Sequence, residues 1–140
     1  MSAENLRSIS LTRNAKGSYE AVNARGGRLQ FGDGGSEDFT PVELLLVAMA
    51  GCSAIDVDYL TSRIAEPTRF EVSGGAEKLS DEHGNHLGEI TITFDVRFPE
   101  GEDGDRARTR LPDAVARSRD RLCTVSRTVQ LSAPVTYVTE

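Results

Sequence analysis

Hydrophobic positions along this chain alternate with polar ones in some stretches and recur at helical spacing in others, and the changes of period delimit its elements. Leu6 to Leu11, Ser18 to Ala24 and Arg28 to Phe31 are short segments parted by Asn14-Ala15-Lys16-Gly17 and Arg25-Gly26-Gly27. Those separators have turn composition, so the pattern predicts a three-stranded antiparallel meander. A polar, glycine-rich loop over 32–38 leads into a helix. Thr40 as N-cap, Pro41 at the first helical position and Glu43 at the third form a capping box, which satisfies amides the first turn would leave orphaned. This helix is expected to run to about Arg63. From Leu44 to Ile55 it is apolar on every face, which predicts a helix enclosed by protein. Its small residues Ala48, Ala50, Gly51, Ser53 and Ala54 permit close approach, and in so short a chain a second subunit is a natural source of cover.

Beyond Pro67, Arg69 to Lys78 reads as a strand, and Glu89 to Phe98 alternates, with Ile90, Ile92, Phe94, Val96 and Phe98 on one face. The two are expected to pair as a hairpin, with a turn over 81–86 that holds both histidines, His83 and His86. An acidic loop, Gly101 to Asp105, should precede a second helix beginning between Arg106 and Pro112. Leu111, Val115, Ser118 and Leu122 carry that helix to Cys123. Val129, Leu131, Ala133, Val135 and Tyr137 suggest a closing strand, placed at an edge by Pro134. The whole is expected to be one α+β domain over residues 1–140.

Size and charge narrow the function. A chain of 140 residues with 38% hydrophobic content holds one ordinary core. A formal net charge of −6 argues against general affinity for nucleic acid or anionic membrane. The arginines between 106 and 127 are interleaved with Asp113 and Asp120, as on a solvated helix face. The first residues lack a basic region followed by an apolar one, so no secretory signal is expected. The longest apolar run, Leu44 to Cys52, is shorter than the roughly 18 residues a membrane span needs. A cytoplasmic location is expected, where a disulfide is more often transient and catalytic than structural.

The chain has two cysteines, Cys52 and Cys123. Cysteine is a nucleophile only as thiolate, and burial among apolar groups opposes ionisation unless a cation or a helix N-terminus compensates. Cys52 lies about three turns inside its own helix, beyond reach of that N-terminus. By itself it reads better as a small inert core residue than as a nucleophile. A metal site joining the cysteines to His83 and His86 is disfavoured, because the histidines sit in a Gly-Asn turn suited to solvent. No glycine-rich loop is placed as in a nucleotide site.

Pro41-x-Glu43-Leu44-Leu45, then Ala50-Gly51-Cys52-Ser53-Ala54-Ile55-Asp56-Val57, with Cys123-x-Val125-Ser126 downstream, closely resembles the OsmC/Ohr family. The resemblance implies an OsmC-like fold, antiparallel sheets packed on a central buried helix, in an intertwined homodimer with active sites at the subunit interface. It implies a peroxidase that reduces organic hydroperoxides in oxidative stress defence, with no bound cofactor or metal. Cys52 would be peroxidatic and Cys123 resolving, their disulfide reopened by a dithiol, lipoyl-type in one branch. Arg25-Gly26-Gly27-Arg28 looks like the family's Arg-x-Gly-Arg turn, which nominates Arg25 to hold the thiolate, with Arg28 in reserve. The family's arginine-orienting glutamate falls at Val42 here. Glu43 is one residue, about 100° of helix, away; it is kept as a candidate beside its stronger reading as the capping-box acid. This departure places the chain nearer the OsmC-like branch than Ohr. Binding of a small apolar ligand without turnover, and redox sensing by the thiol pair, are the alternatives.

Overall fold

In a computed structural model that describes residues 4–140, the chain forms two compact units, one through Leu45 and the other Leu46–Glu140. The first is the predicted meander: β1 (Ile9–Ala15), β2 (Ser18–Asn23) and β3 (Arg28–Gly32), in that order and antiparallel. Tyr19 of β2 lies opposite Phe31 of β3, and their rings stack with centroids 5.7 Å apart. The β2–β3 turn is built by Asn23, whose Oδ1 accepts the amides of Arg25 at 3.1 Å and Gly27 at 2.8 Å. Gly26 takes the left-handed conformation there (φ 89°), which a side chain would strain. Every residue of β1 is exposed, Ile9 and Leu11 included.

Helix α1 (Pro41–Ser62) starts where the capping box put it. Thr40 N–H donates to Glu43 Oε1 at 2.9 Å and Glu43 N–H to Thr40 Oγ1 at 3.2 Å, the reciprocal pair of that motif. One face of α1, Met49, Ser53, Val57 and Thr61, is buried, whereas Val42, Leu45, Val47, Ile55 and Tyr59 are exposed. Within this chain, then, the apolar helix is enclosed on one side only. An 18-residue window within it, with a mean hydropathy of 1.5, also has the length and composition to cross a bilayer, a test that soluble core helices pass as well.

In the second unit, β4 (Arg69–Gly75) pairs antiparallel with β7 (Thr91–Arg97), as the alternation predicted. The segment between them is more than a turn: β5 (Lys78–Asp81) and β6 (Gly84–Leu87) make a second hairpin. β4 comes close to α1 at Gly74, where an added Cβ would meet the Leu46 side chain at 3.8 Å. Helix α2 (Glu102–Arg117) begins earlier than expected. The stretch read as an acidic loop supplies its first turn, Glu102, Asp103 and Asp105, acids that the positive end of the helix macrodipole favours. Gly104 is needed there, because a Cβ would fall on the carbonyl oxygen of Pro99.

The end of the chain differs most from expectation. After α2 comes a π-helical turn, Ser118–Leu122, then α3 (Thr124–Leu131). Val129 and Leu131 are helical, so the closing strand is absent. Ser132 ends α3 in the left-handed conformation (φ 56°), and residues 133–140 follow without regular structure. A strand needs a hydrogen-bonding neighbour, and among the described residues no sheet supplies one to the segment. The core of the second unit is built from small side chains: Val57, Thr61, Ala107, Ala114, Ser118 and Cys123 are all at most 1% exposed.

Candidate active site

Helix α1 carries Cys52, and the junction between the π-helical turn and α3 carries Cys123. Cys52 is partly exposed and Cys123 fully buried, and both are free thiols. The fold brings them together: the Cys123 thiol lies close enough to Cys52 to oppose its ionisation. Cys123 has extended backbone (φ −75°, ψ 103°) and acts as the N-cap of α3, its Sγ accepting the Ser126 amide at 3.3 Å. Sulfur here does what a serine or threonine oxygen does at most helix starts.

The amide one residue earlier, Val125 N–H, is near enough to Cys52 to favour its thiolate. Of the donors that the first turn of α3 cannot satisfy internally, one thus rests on the Cys123 sulfur and another acts on Cys52. The sequence reading asked for a cation or a helix N-terminus near Cys52; the structure provides the N-terminus of α3. The signal was present in Cys123-Thr124-Val125-Ser126, had cysteine been counted among residues able to cap a helix.

The electrostatic balance nevertheless lies on the thiol side. Burial pushes the Cys52 thiol up most, the Val125 amide draws it down, and the neighbouring Cys123 and the Asp56 carboxylate push it up again. None of these groups is a cation. Asp56 is one turn beyond Cys52 on α1, and its Oδ2 accepts a hydrogen bond from Ser118 Oγ at 2.9 Å.

A recess of about 400 Å³ opens near the pair, and neither cysteine is among the residues that line it. Met49, Ile92, Phe94 and Val115 give it an apolar lining; Ser53 and Ser126, neighbours of the cysteine pair, and Arg119 give it polar points. A wider recess of about 630 Å³ runs along α2 past Asp105, Arg110 and Asp113. These charges belong to helical ion pairs, Arg108 with Asp105 and Arg110 with Asp113. Of the two, the smaller is lined by a residue adjoining a cysteine in sequence, Ser53, and by Ser126, whose amide binds Cys123.

The other nominated residues sit as follows. Arg25 is in the β2–β3 turn, and its guanidinium forms no hydrogen bond or ion pair with the described residues. Arg28 is committed to Glu20 at 2.6 Å. Glu43 is held in the capping box, and its hydrogen bonds, the Thr40 amide foremost, keep its carboxyl below the usual range. His83 and His86 lie at the β5–β6 hairpin beside Glu82 and Asp81. Among the described residues, no three His, Cys, Asp or Glu side chains converge as a metal site would require.

A family model described as OsmC-like protein matches residues 32–138. Among curated proteins none matches the chain. Several solved structures are similar in fold. An OsmC-like protein of unknown function from Vibrio cholerae superposes with a TM-score of 0.74 at 9% identity, over 90% of this chain and 94% of the other. A hypothetical protein from Aquifex aeolicus gives 0.72 at 21% identity, over 91% and 89%. A Legionella pneumophila protein described as an organic hydroperoxide resistance protein OsmC and predicted redox protein gives 0.61 at 14% identity, over 92% of each. At these identities the likeness is one of fold, α+β with antiparallel strands and helices.

Proposed function

Because this chain belongs to the OsmC-like protein family, we propose that it is a thiol-dependent peroxidase that reduces organic hydroperoxides, working in the cytoplasm as a homodimer in defence against oxidative stress. The observation that carries this reading is the thiol pair: Cys52 beside Cys123, with the Ser126 amide on the Cys123 sulfur and the Val125 amide near enough to Cys52 to favour its thiolate. A partly exposed nucleophile beside a buried thiol is the arrangement a peroxidatic and a resolving cysteine need. The description of the Legionella pneumophila relative agrees with this chemistry.

In the first step the Cys52 thiolate attacks the distal oxygen of ROOH; the O–O bond breaks, Cys52 becomes a sulfenic acid, and RO⁻ leaves to be protonated to ROH. In the second, Cys123 sulfur displaces hydroxide from that sulfenic acid, which departs as water with the thiol proton, leaving the Cys52–Cys123 disulfide. A dithiol such as a lipoyl group then reopens it by exchange and closes into its own cyclic disulfide. The apolar recess accommodates the organic part of the peroxide.

A cation completes the first step, since the groups around Cys52 leave its thiol hard to ionise. Arg25 is proposed to supply it, being the turn arginine whose guanidinium has no hydrogen bond or ion pair among the described residues, whereas Glu43 remains the cap of α1. A second copy of the chain is proposed to cover β1 and the exposed apolar side of α1. Mass spectrometry of the reduced protein after one equivalent of an alkyl hydroperoxide tests the reading. The expected product is the Cys52–Cys123 disulfide; Cys52→Ser should not react, and Cys123→Ser should react once and then over-oxidise. Thiols that stay free in excess peroxide would overturn it and favour a second reading, binding of a small apolar ligand in the recess, which the suppressed ionisation of Cys52 supports.

A further inference from the structure

Two links join α1 to the segment that ends in Cys123. One is the thiol pair; the other is Ser118 Oγ donating to Asp56 Oδ2 at 2.9 Å. The geometry makes them neighbours. Cys52 and Asp56 are four residues apart on α1 and share a face. Ser118 and Cys123 are five apart, which on an α-helix would point them roughly 140° away from each other. The π-helical turn narrows that divergence: it is closed by Cys123 N–H donating to Ser118 O at 3.0 Å, the five-residue bond of such a turn. The second link thus stacks one turn along α1 from the thiols.

Ser118 is 1% exposed. A hydroxyl so buried needs a partner, and alanine would fill the space with no polar obligation. Asp56 in turn has a cost: its charge opposes ionisation of Cys52. A carboxylate that hinders the nucleophile and is nevertheless bonded to a buried serine has a positioning role to offset that cost.

We propose that the Asp56–Ser118 hydrogen bond is a positioning rung, which fixes the π-helical turn against α1 so that the two sulfurs stay within bonding reach and the Cys52–Cys123 disulfide closes readily. Its part in peroxide turnover rests on the reading above, where closure breaks the S–O bond of the sulfenic acid and forms S–S. Its effect on the pair itself does not, because a cyclic disulfide forms the same bond by exchange and is itself reduced to the dithiol.

The test is the thiol–disulfide equilibrium of the full chain against dithiothreitol and its oxidised form, read by mass spectrometry at mildly acidic pH so that thiolate charge does not enter. Ser118→Ala and Asp56→Ala should each lower the preference for the disulfide about tenfold, the effect of losing one hydrogen bond to a charged acceptor. Asp56→Asn, whose carbonyl still accepts from Ser118, should stay within about twofold of the parent. Asp58→Ala, which removes an exposed charge from the same helix, should have no effect. Circular dichroism confirms folding of each variant, and the partly exposed Asp56 site keeps the test open should Ser118→Ala unfold. Equal equilibria in the parent, Asp56→Ala and Ser118→Ala would overturn the rung. So would a shift shared by Asp56→Asn and Asp56→Ala but not by Ser118→Ala, since charge would then be acting. A parent that ignores peroxide yet shows the expected pattern with dithiothreitol would sink the peroxidase reading and leave the rung standing.

Discussion

The Val125 amide offers a direct way to perturb the Cys52 thiolate without touching either cysteine. Val125 is the second residue of α3, so its N–H has no partner within the helix, and it lies near enough to Cys52 to favour the thiolate. Proline is tolerated in a first helical turn because the amide it lacks is orphaned there. Val125→Pro therefore removes that N–H, leaves the Ser126 amide on Cys123, and breaks no intrahelical bond. A hydrogen bond to a charged acceptor is worth about 1.5–3 kcal/mol. Cys52 is partly exposed, so water replaces some of the lost donation, and about 1.4 kcal/mol is the reasonable share, a factor of about ten in thiolate population.

The sign follows from the charge: the amide favours the thiolate, so its loss moves ionisation to higher pH and slows every thiolate reaction at neutral pH. The assay is iodoacetamide alkylation of Cys52 from neutral to alkaline pH, followed by peptide mass spectrometry. The profile of Val125→Pro should move to higher pH and its rate at pH 7 should fall about tenfold. Thr124→Pro, one residue earlier, keeps the Val125 amide and should match the parent. Coincident profiles for the parent and Val125→Pro, with α3 intact by circular dichroism, would refute the idea that the start of α3 supports the Cys52 thiolate.

Other outcomes are expected from the same structure. Arg25→Ala should raise the pH at which Cys52 alkylates, whereas Arg28→Ala, whose guanidinium is bound to Glu20, should not; equal profiles for Arg25→Ala and the parent would return Arg25 to an ordinary surface turn. Gly104→Ala places a methyl on the Pro99 carbonyl and should cost about 2–3 kcal/mol in urea unfolding, near the upper range for overpacking. Thr40→Ala removes the N-cap of α1 and should cost about 1 kcal/mol by the same measurement.

What could be read from the sequence were features governed by neighbours a few residues away. The capping box at Thr40 and Glu43 is local chemistry, and α1 begins there. The three N-terminal strands follow from turn residues between short apolar runs, and β4 with β7 from strict alternation in one partner. The misreadings arose where tertiary geometry decided. Acids around Gly104 read as loop, yet they start α2, because a glycine was needed for close approach to Pro99. The alternation from Val129 to Tyr137 had the period of a strand, but the cap at Cys123 set Val129 and Leu131 into a helix. In the site, both cysteines were legible as a pair. Nothing local selects Asp56, because its partner, Ser118 across a π-helical turn, is not a pattern in sequence. The same holds for the Val125 amide, since a backbone donor has no residue-type signature.

One consequence of the Cys123 cap concerns how redox state reaches the backbone. The sulfur that closes the first turn of α3 is also the sulfur that a disulfide to Cys52 would consume. A thiol or thiolate accepts a hydrogen bond better than a disulfide sulfur, so oxidation loosens the Ser126 amide and reduction fastens it again. The beginning of α3 is in this sense a gauge: amide proton exchange at Ser126 reports whether the thiols are joined, with no label on either cysteine.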